Sequence, residues 1–257
     1  MTSLFAHAAL GPHFAFPSGG AVNEQIFLRW IHLISGFIWL GLLYYFNLVA
    51  FPAMKQLDAP VRARAFLAIM PRAMAWFRWS ALVTVVFGLR YFLILLSADA
   101  QNAGRPALTL QWFGLWLLVW LVAYALIYPL QLPAKGLLDN AWLRAVAIAA
   151  IVVAASWAAL AANSGVAVSN AHLSISVGGG LGLLMFLNVW GVVWRVQKRL
   201  IAWTRAAVEN SSPMPPEAER LARWGFLASR VGFWLSFPML FFMAAAEHYP
   251  FLSGAAR

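Results

Sequence analysis

Six side chains capable of acid–base or metal-binding chemistry lie near the ends of long apolar stretches of the chain. They are three histidines, two arginines and one carboxylate: His32, His172, His248, Arg29, Arg90 and Glu247. An imidazole ligates metals and transfers protons near neutral pH, and a guanidinium binds planar anions through paired hydrogen bonds. These residue types therefore indicate a redox cofactor, an anion-binding site, or both.

The apolar stretches that carry these residues identify the class of protein. Of 257 residues, 63% are hydrophobic and 10% are charged, whereas soluble domains carry about 25% charged residues. We predict an all-α fold, namely a polytopic membrane helix bundle of about six transmembrane helices plus a short interfacial helix. The predicted spans, each long enough to cross a bilayer, are 26–51, 74–96, 108–130, 142–162, 171–196 and 226–248.

Two further segments complete the predicted organisation, in which residues 26–257 form a single transmembrane domain. Residues 1–25 are expected to be an extracytoplasmic N-terminal arm and not a secretory signal, because no Lys or Arg precedes Arg29. Residues 59–70 combine an apolar face with arginines on the other face, which is typical of a helix lying at the membrane surface. We expect Pro71 to end that helix.

The chain contains no cysteine. Structural disulfides, iron–sulfur clusters and haem attached covalently through cysteines are therefore excluded for this sequence. The net charge of +10 favours contact with anionic membrane lipid, and we expect no nucleic-acid partner.

Basic residues alternate between the predicted loops. The loops after spans 1 and 5 hold several Lys and Arg, and the segment after span 3 holds Lys135 and Arg144, whereas the loop after span 2 holds only Arg105 and the loop after span 4 holds none. Since Lys and Arg concentrate on the cytoplasmic side, both termini are predicted on the outer side of a bacterial-type inner membrane.

This orientation predicts that all six chemically active residues lie in one layer near the outer face. An ionisable side chain within a span costs several kcal/mol unless it finds a partner or serves a function. Residues at the start of spans 1 and 5 and at the end of spans 2 and 6 reach the same depth, and we expect them to form one site.

Two kinds of site fit such a layer. The first is haem b, with two of His32, His172 and His248 as iron ligands, Arg29 or Arg90 for the propionates, and the run Gly178–Gly182 giving room for the ring; which two histidines pair is left open. The second is a site for a planar anion, in which arginines bind the anion and a histidine or Glu247 moves protons. A zinc site is a weaker use of three histidines, and interfacial or packing roles stay open.

Four segments carry a resemblance to a known family, the membrane-bound urate oxidase (urate dehydrogenase, urate hydroxylase) N-terminal family. The resemblance covers spans 1, 2, 5 and 6, and the order of the segments is more specific than any one of them. The segments are Arg29-Trp30-Ile31-His32 with Trp39-Leu40-Gly41 and Tyr44-Tyr45-Phe46; Trp76-Phe77-Arg78-Trp79; His172 to Gly182 with Asn188-Val189 and Gln197-Lys198-Arg199; and Phe237 to Met243 with Glu247-His248-Tyr249-Pro250.

The resemblance implies oxidation of urate toward 5-hydroxyisourate, with electrons passed to a c-type cytochrome that is often fused to the C-terminus. This chain ends at Arg257 without a cysteine, so we expect an external cytochrome c as the partner. Glu247 stands where the family usually has Asn, and the His- and Gly-rich segment expected after the first span is missing. We therefore expect a short relative whose substrate can differ.

Three functions remain open from the sequence. The first is a urate-oxidase-like membrane redox protein whose outer cluster binds haem or substrate, with Arg29, Arg90 and Glu247 as catalytic candidates. The second is a non-catalytic haem b subunit that relays electrons or anchors a respiratory complex. The third is a cofactor-free transporter or assembly factor. Assembly as a homo- or hetero-oligomer is compatible with each of them.

Overall fold

In a computed structural model, residues 17–133, 139–163, 165–250 and 252 are described. They form helices and, within these ranges, no β-strand. Six helices are long and apolar enough to cross a membrane: α1 Gly20–Lys55, α2 Ala59–Asn102, α3 Leu108–Leu130, α4 Ala141–Ala161, α5 Asn170–Asn210 and α6 Ala218–His248. The predicted all-α bundle of six spans is confirmed.

Helix α5 is the central element of the bundle. In its most apolar window 61% of the residues are buried, against 22% in each of α1 to α4. Its glycines permit this central position: a Cβ atom on Gly178 would lie 3.0 Å from Cβ of Phe242 in α6, and one on Gly180 would overlap the Trp120 indole of α3 at 1.8 Å. Interior glycines cost helix stability, and here close helix packing offsets that cost.

Two tryptophans fix α3 against α5. The indole N–H groups of Trp116 and Trp120 both donate to the carbonyl oxygen of Ser176, at 2.8 and 3.1 Å. Because the hydrocarbon core of a membrane offers no water to satisfy such donors, these hydrogen bonds define how the two helices meet. The other main pairings are α1 along α2 and α5 along α6.

The prediction that Pro71 ends a separate interfacial helix is wrong. Segment 59–70 is helical, but α2 continues through Pro71 without a break to Asn102. Proline removes one backbone hydrogen bond from the helix. Burial of Met70 and Met74 on either side of it stabilises the continuous helix against that loss.

The predicted ends of two other spans also move. Helix α1 passes through a π-helical stretch at Tyr45–Ala50 and ends at Lys55, beyond the predicted stop at Pro52. Pro52 lies in the first turn after that stretch, where a missing N–H is tolerated. Helix α5 likewise contains a π-helical stretch at Val189–Val193 and continues to Asn210. The basic segment Gln197-Lys198-Arg199 is therefore helical.

The N-terminal arm is only partly described, because residues 1–16 lie outside the described ranges. Residues from Gly20 onward already belong to α1, so the last part of the predicted arm is helical.

The packing of α5 leads to a first prediction. Gly180→Ala should lower the thermal unfolding midpoint of the purified protein, because the added methyl group overlaps the fully buried Trp120. Overpacking of this kind costs about 1–3 kcal/mol. Gly182→Ala is the matched control, since a Cβ there meets nothing within 4 Å. Equal midpoints for the two variants would contradict the described approach of α3 and α5.

Candidate functional site

A cavity lies between α1, α2, α5 and α6, at the end of the bundle where α1 begins and α6 ends. It has a volume of about 230 Å³, larger than the roughly 150 Å³ apolar cavity that admits a benzene ring. Most of its wall is apolar, and four glycines form part of it. The polar and small residues on the wall are Arg29, His32, Gly36, Thr84, Gly88, Tyr91, Gly179, Gly182 and Glu247.

The cavity opens sideways, between α1 and α6. Leu33 and Phe37 line it, yet they are 55% and 73% exposed. The opening lies between two polar contacts that join these helices, an Arg29–Glu247 ion pair at one end and a Tyr44–Ser236 hydrogen bond of 3.0 Å at the other. A flat apolar ligand therefore has room to extend toward the surface of the bundle.

His32 is held against α2 by a helix carbonyl. Its Nδ1 lies 2.8 Å from the carbonyl oxygen of Thr84, and since a carbonyl only accepts, Nδ1 carries the proton. Nε2 is then left with its lone pair free to accept a proton or bind a metal. The Nδ1–Cε1 edge of the ring approaches α2 closely because residue 88 is glycine: a Cβ there would lie 2.8 Å from His32 Cε1 and Nδ1. Ser35 and Thr84 add a hydroxyl–hydroxyl bond of 2.9 Å between the same helices.

Arg29, Tyr91 and Glu247 meet at the mouth of the cavity. The Arg29 guanidinium lies 3.6 Å from Glu247 Oε1, and the Tyr91 hydroxyl donates to the same oxygen at 3.3 Å. The guanidinium also lies 5.7 Å from the centroid of the Tyr91 ring. Both charged side chains are partly exposed, so this cluster is open to solvent and to an incoming anion.

Two of the predicted site residues lie outside the cavity wall. Arg90 turns away from it and donates from Nε to Glu24 Oε1 at 2.8 Å, as part of a partly exposed ion pair. His248 is the last residue of α6 and is exposed, with its ring near Tyr249. Glu247, the neighbouring residue, lines the cavity.

His172 belongs to a separate buried cluster. Its ring is 1% exposed, and Nδ1 donates to Asp99 Oδ2 at 3.0 Å. The same carboxylate oxygen accepts from the backbone N–H and the hydroxyl of Ser169, both at 2.9 Å. The imidazole packs against Trp112 and Phe92. This cluster joins the C-terminal end of α2 to the start of α5.

The three histidines do not form one layer, contrary to the sequence-based expectation. His32 bonds to Thr84 and contacts Gly88 of α2, whereas His172 bonds to Asp99 and packs against Phe92, so His172 lies further toward the C-terminal end of α2. Of the three, only His32 lines the cavity. The fold therefore does not place two of these imidazoles on opposite sides of one flat ring.

Several residues of the two clusters were not identified from the sequence. Thr84 contributes a backbone carbonyl, and Gly88 contributes the absence of a side chain. Neither contribution can be recognised from the residue type alone. Asp99 lies just after the predicted span 74–96. An acidic residue so close to an apolar span indicates that it has a buried partner or a function. Tyr91 lies beside Arg90 in the sequence, and the sequence alone did not show that Tyr91 lines the cavity while Arg90 pairs with Glu24.

Comparison with known proteins identifies the family. The model of the family described as "Urate oxidase N-terminal" matches residues 62–257. The chain belongs to this family. The match covers α2 to α6, with Arg90, His172, Glu247 and His248, and does not include α1 with Arg29 and His32. No curated protein and no solved structure matches the chain.

The His172 cluster gives a second prediction. Asp99→Ala should lower the thermal unfolding midpoint markedly, because it leaves three donors without their acceptor in a buried place, at about 1–3 kcal/mol for each unsatisfied group. Asp58→Ala is the matched control: Asp58 precedes the same helix but its side chain makes no capping hydrogen bond. A midpoint of Asp99→Ala equal to that of the control would show that the cluster does not stabilise the fold.

Proposed function

We propose that this member of the urate oxidase N-terminal family is a membrane redox protein that oxidises a urate-class planar anion at the mouth of the cavity. The observation that supports the proposal most is the convergence of Arg29, His32, Tyr91 and Glu247 on one largely apolar cavity. In the reaction implied by the family, urate and water give 5-hydroxyisourate, two protons and two electrons.

We infer a haem b that would take His32 as its single imidazole ligand and, because the cavity measures only about 230 Å³, would have to lie largely in the sideways opening. His32 Nε2 is unprotonated because Nδ1 donates to the Thr84 carbonyl. In metal sites, a hydrogen bond at the ring nitrogen that does not bind the metal orients the histidine. The pair of histidines expected from the sequence does not share the cavity, so His32 alone is proposed as an imidazole ligand. Such a haem would supply one-electron transfer.

The residues at the mouth would bind the substrate and take up its protons. A planar anion that approaches Arg29 competes with Glu247 for the guanidinium, and charge-assisted hydrogen bonds from Arg are the strong ones. The carboxylate released in this way is a proton acceptor beside the substrate. The Tyr91 hydroxyl, which donates to Glu247, can donate instead to a substrate oxygen.

The proposed partner is an external c-type cytochrome. The alternation of Lys and Arg between loops supports an orientation with the cavity at the outer face of a bacterial-type inner membrane. In that orientation electrons released at the mouth leave toward the side where such a cytochrome would be found.

The third prediction concerns the bound cofactor. Reduced-minus-oxidised absorption spectra of the purified protein should show a b-type signal that appears with urate as the only reductant. His32→Ala should abolish the signal, because His32 is the only histidine among the described residues that line the cavity. His248→Ala should retain it, because the His248 ring is exposed and outside the cavity.

Three other results would contradict this proposal. Reduction by dithionite and not by urate would indicate an electron-relay subunit. Absence of a haem signal would leave the cavity as a site without haem. Loss of the signal in His248→Ala, with retention in His32→Ala, would place the haem elsewhere.

The fourth prediction concerns the anion. Arg29→Gln should raise the urate concentration needed for half-maximal reduction by about tenfold or more, since hydrogen bonds to charged groups contribute ~1.5–3 kcal/mol and ~1.4 kcal/mol corresponds to tenfold. Arg220→Gln is the control, an exposed arginine at the opposite end of α6. Equal urate dependence of the two variants would remove Arg29 from the substrate site.

A further inference from the structure

We propose that Arg78 and the tryptophans around it form a binding site for the phosphate group of an anionic membrane phospholipid. The site lies where α2 and α5 meet at the surface of the bundle. It shares no residue with the wall of the cavity, so the inference does not rest on the proposed function. The occupant is a lipid of the phosphatidylglycerol class, a phosphate diester with one negative charge.

Three indole rings hold the Arg78 guanidinium. Its carbon Cζ lies 3.8 Å from the ring centroid of Trp194, 5.3 Å from that of Trp79 and 5.8 Å from that of Trp190, within the range of cation–π attraction. The Trp190 indole N–H donates to the Arg78 backbone carbonyl at 3.2 Å. The rings of Trp79 and Trp190 meet edge to face at 5.6 Å. These contacts, which we call the tryptophan cage, fix the guanidinium between the two helices.

The charge of Arg78 has no partner in the described part of the chain. Its Nε is buried and donates to no described residue, and none of the ion pairs between described residues includes it. Stacking on aromatic rings uses the faces of a guanidinium, whereas hydrogen bonds use the N–H groups at its edge. An unpaired cation beside an apolar span is costly. Two oxygens of one phosphate can accept from that edge together.

Further cations lie close to the tryptophan cage. Lys198 follows Trp194 by four positions, and Arg72 precedes Trp79 by seven, so each lies on the same helix face as a ring of the cage. Both are exposed, and neither belongs to an ion pair between described residues. The chain has 18 Lys and Arg against eight Asp and Glu. Charge complementarity therefore favours an anionic ligand here.

The exposed face of α2 favours a lipid as the source of the phosphate. Trp76 and Trp79 are 64% and 50% exposed, and tryptophan is enriched at the level of the lipid headgroups. Val86, seven positions after Trp79 on the same face, is 52% exposed, so the face continues as an apolar surface along which acyl chains can lie. In the proposed orientation this end of α2 meets the cytoplasmic leaflet, whose anionic lipids attract basic segments.

The test is lipid binding to the purified protein in detergent, followed by native mass spectrometry. The wild type should bind phosphatidylglycerol more tightly than the zwitterionic phosphatidylcholine. Arg78→Gln should weaken phosphatidylglycerol binding by about tenfold or more, as expected for the loss of a hydrogen bond between charged groups, and should not change phosphatidylcholine binding. Arg230→Gln is the matched control, since Arg230 is also a half-buried arginine of a span that lies over two aromatic rings, Phe226 and Phe233. It should bind phosphatidylglycerol like the wild type.

A second variant and a second measurement separate lipid binding from misfolding. Lys198→Gln changes an exposed side chain and should weaken phosphatidylglycerol binding by a smaller factor, with the unfolding midpoint in phosphatidylcholine unchanged. Phosphatidylglycerol should raise the thermal unfolding midpoint of the wild type more than that of Arg78→Gln, because a ligand that binds the folded state stabilises it.

Four results would overturn the proposal. They are equal affinity of the wild type for the two lipids; equal phosphatidylglycerol affinity of Arg78→Gln and Arg230→Gln; unchanged affinity in Lys198→Gln when Arg78→Gln fails to fold; and displacement of the lipid by inorganic phosphate at the same concentration, which would indicate a site for a free anion. Urate-dependent reduction is measured separately, and its absence would affect only the proposed function.

Discussion

The bond between His32 and the Thr84 carbonyl is the constraint on which the proposed site depends. An imidazole within an apolar span needs a polar partner, and here a backbone carbonyl of the adjacent helix provides it. The bond requires close contact between α1 and α2, which Gly88 permits. It also fixes the tautomer of His32, so that Nε2 keeps its lone pair. One contact thus satisfies a buried polar group, positions two helices and prepares a metal ligand or proton acceptor.

The two buried histidines show how similar sequence patterns lead to different roles. His32 has a free cavity beside it, whereas His172 is enclosed by two aromatic rings and bound to Asp99, which also binds Ser169. The Asp99 cluster joins two helix ends, and His172 does not itself line the cavity, although Phe92, which packs against its ring, does. His172 therefore contributes to the packing of the bundle, whereas His32 lines the cavity on which the proposed function rests. The family match includes His172 and leaves out α1, so sequence similarity alone does not make this distinction.

The fold was largely predictable, and the site only in part. Long apolar stretches indicate spans directly, because a bilayer sets their length. The error at Pro71 arose because a local rule about proline was applied where flanking packing decides the outcome. Arg29, His32 and Glu247 were identified as charged or titratable groups near the ends of spans. Their partners, the Thr84 carbonyl and Gly88, depend on the rotation of one helix relative to another, which a single sequence does not specify.

The most direct test of the account is whether the purified protein binds haem and, where it does, how many imidazoles ligate the iron. Pulsed electron paramagnetic resonance of the ferric protein, labelled with ¹⁵N-histidine, resolves the nitrogen of each bound imidazole. The account predicts coupling to one imidazole, because only His32 lines the cavity. Coupling to two imidazoles would contradict it and restore a pair of histidine ligands. Coupling to none would remove His32 from the site.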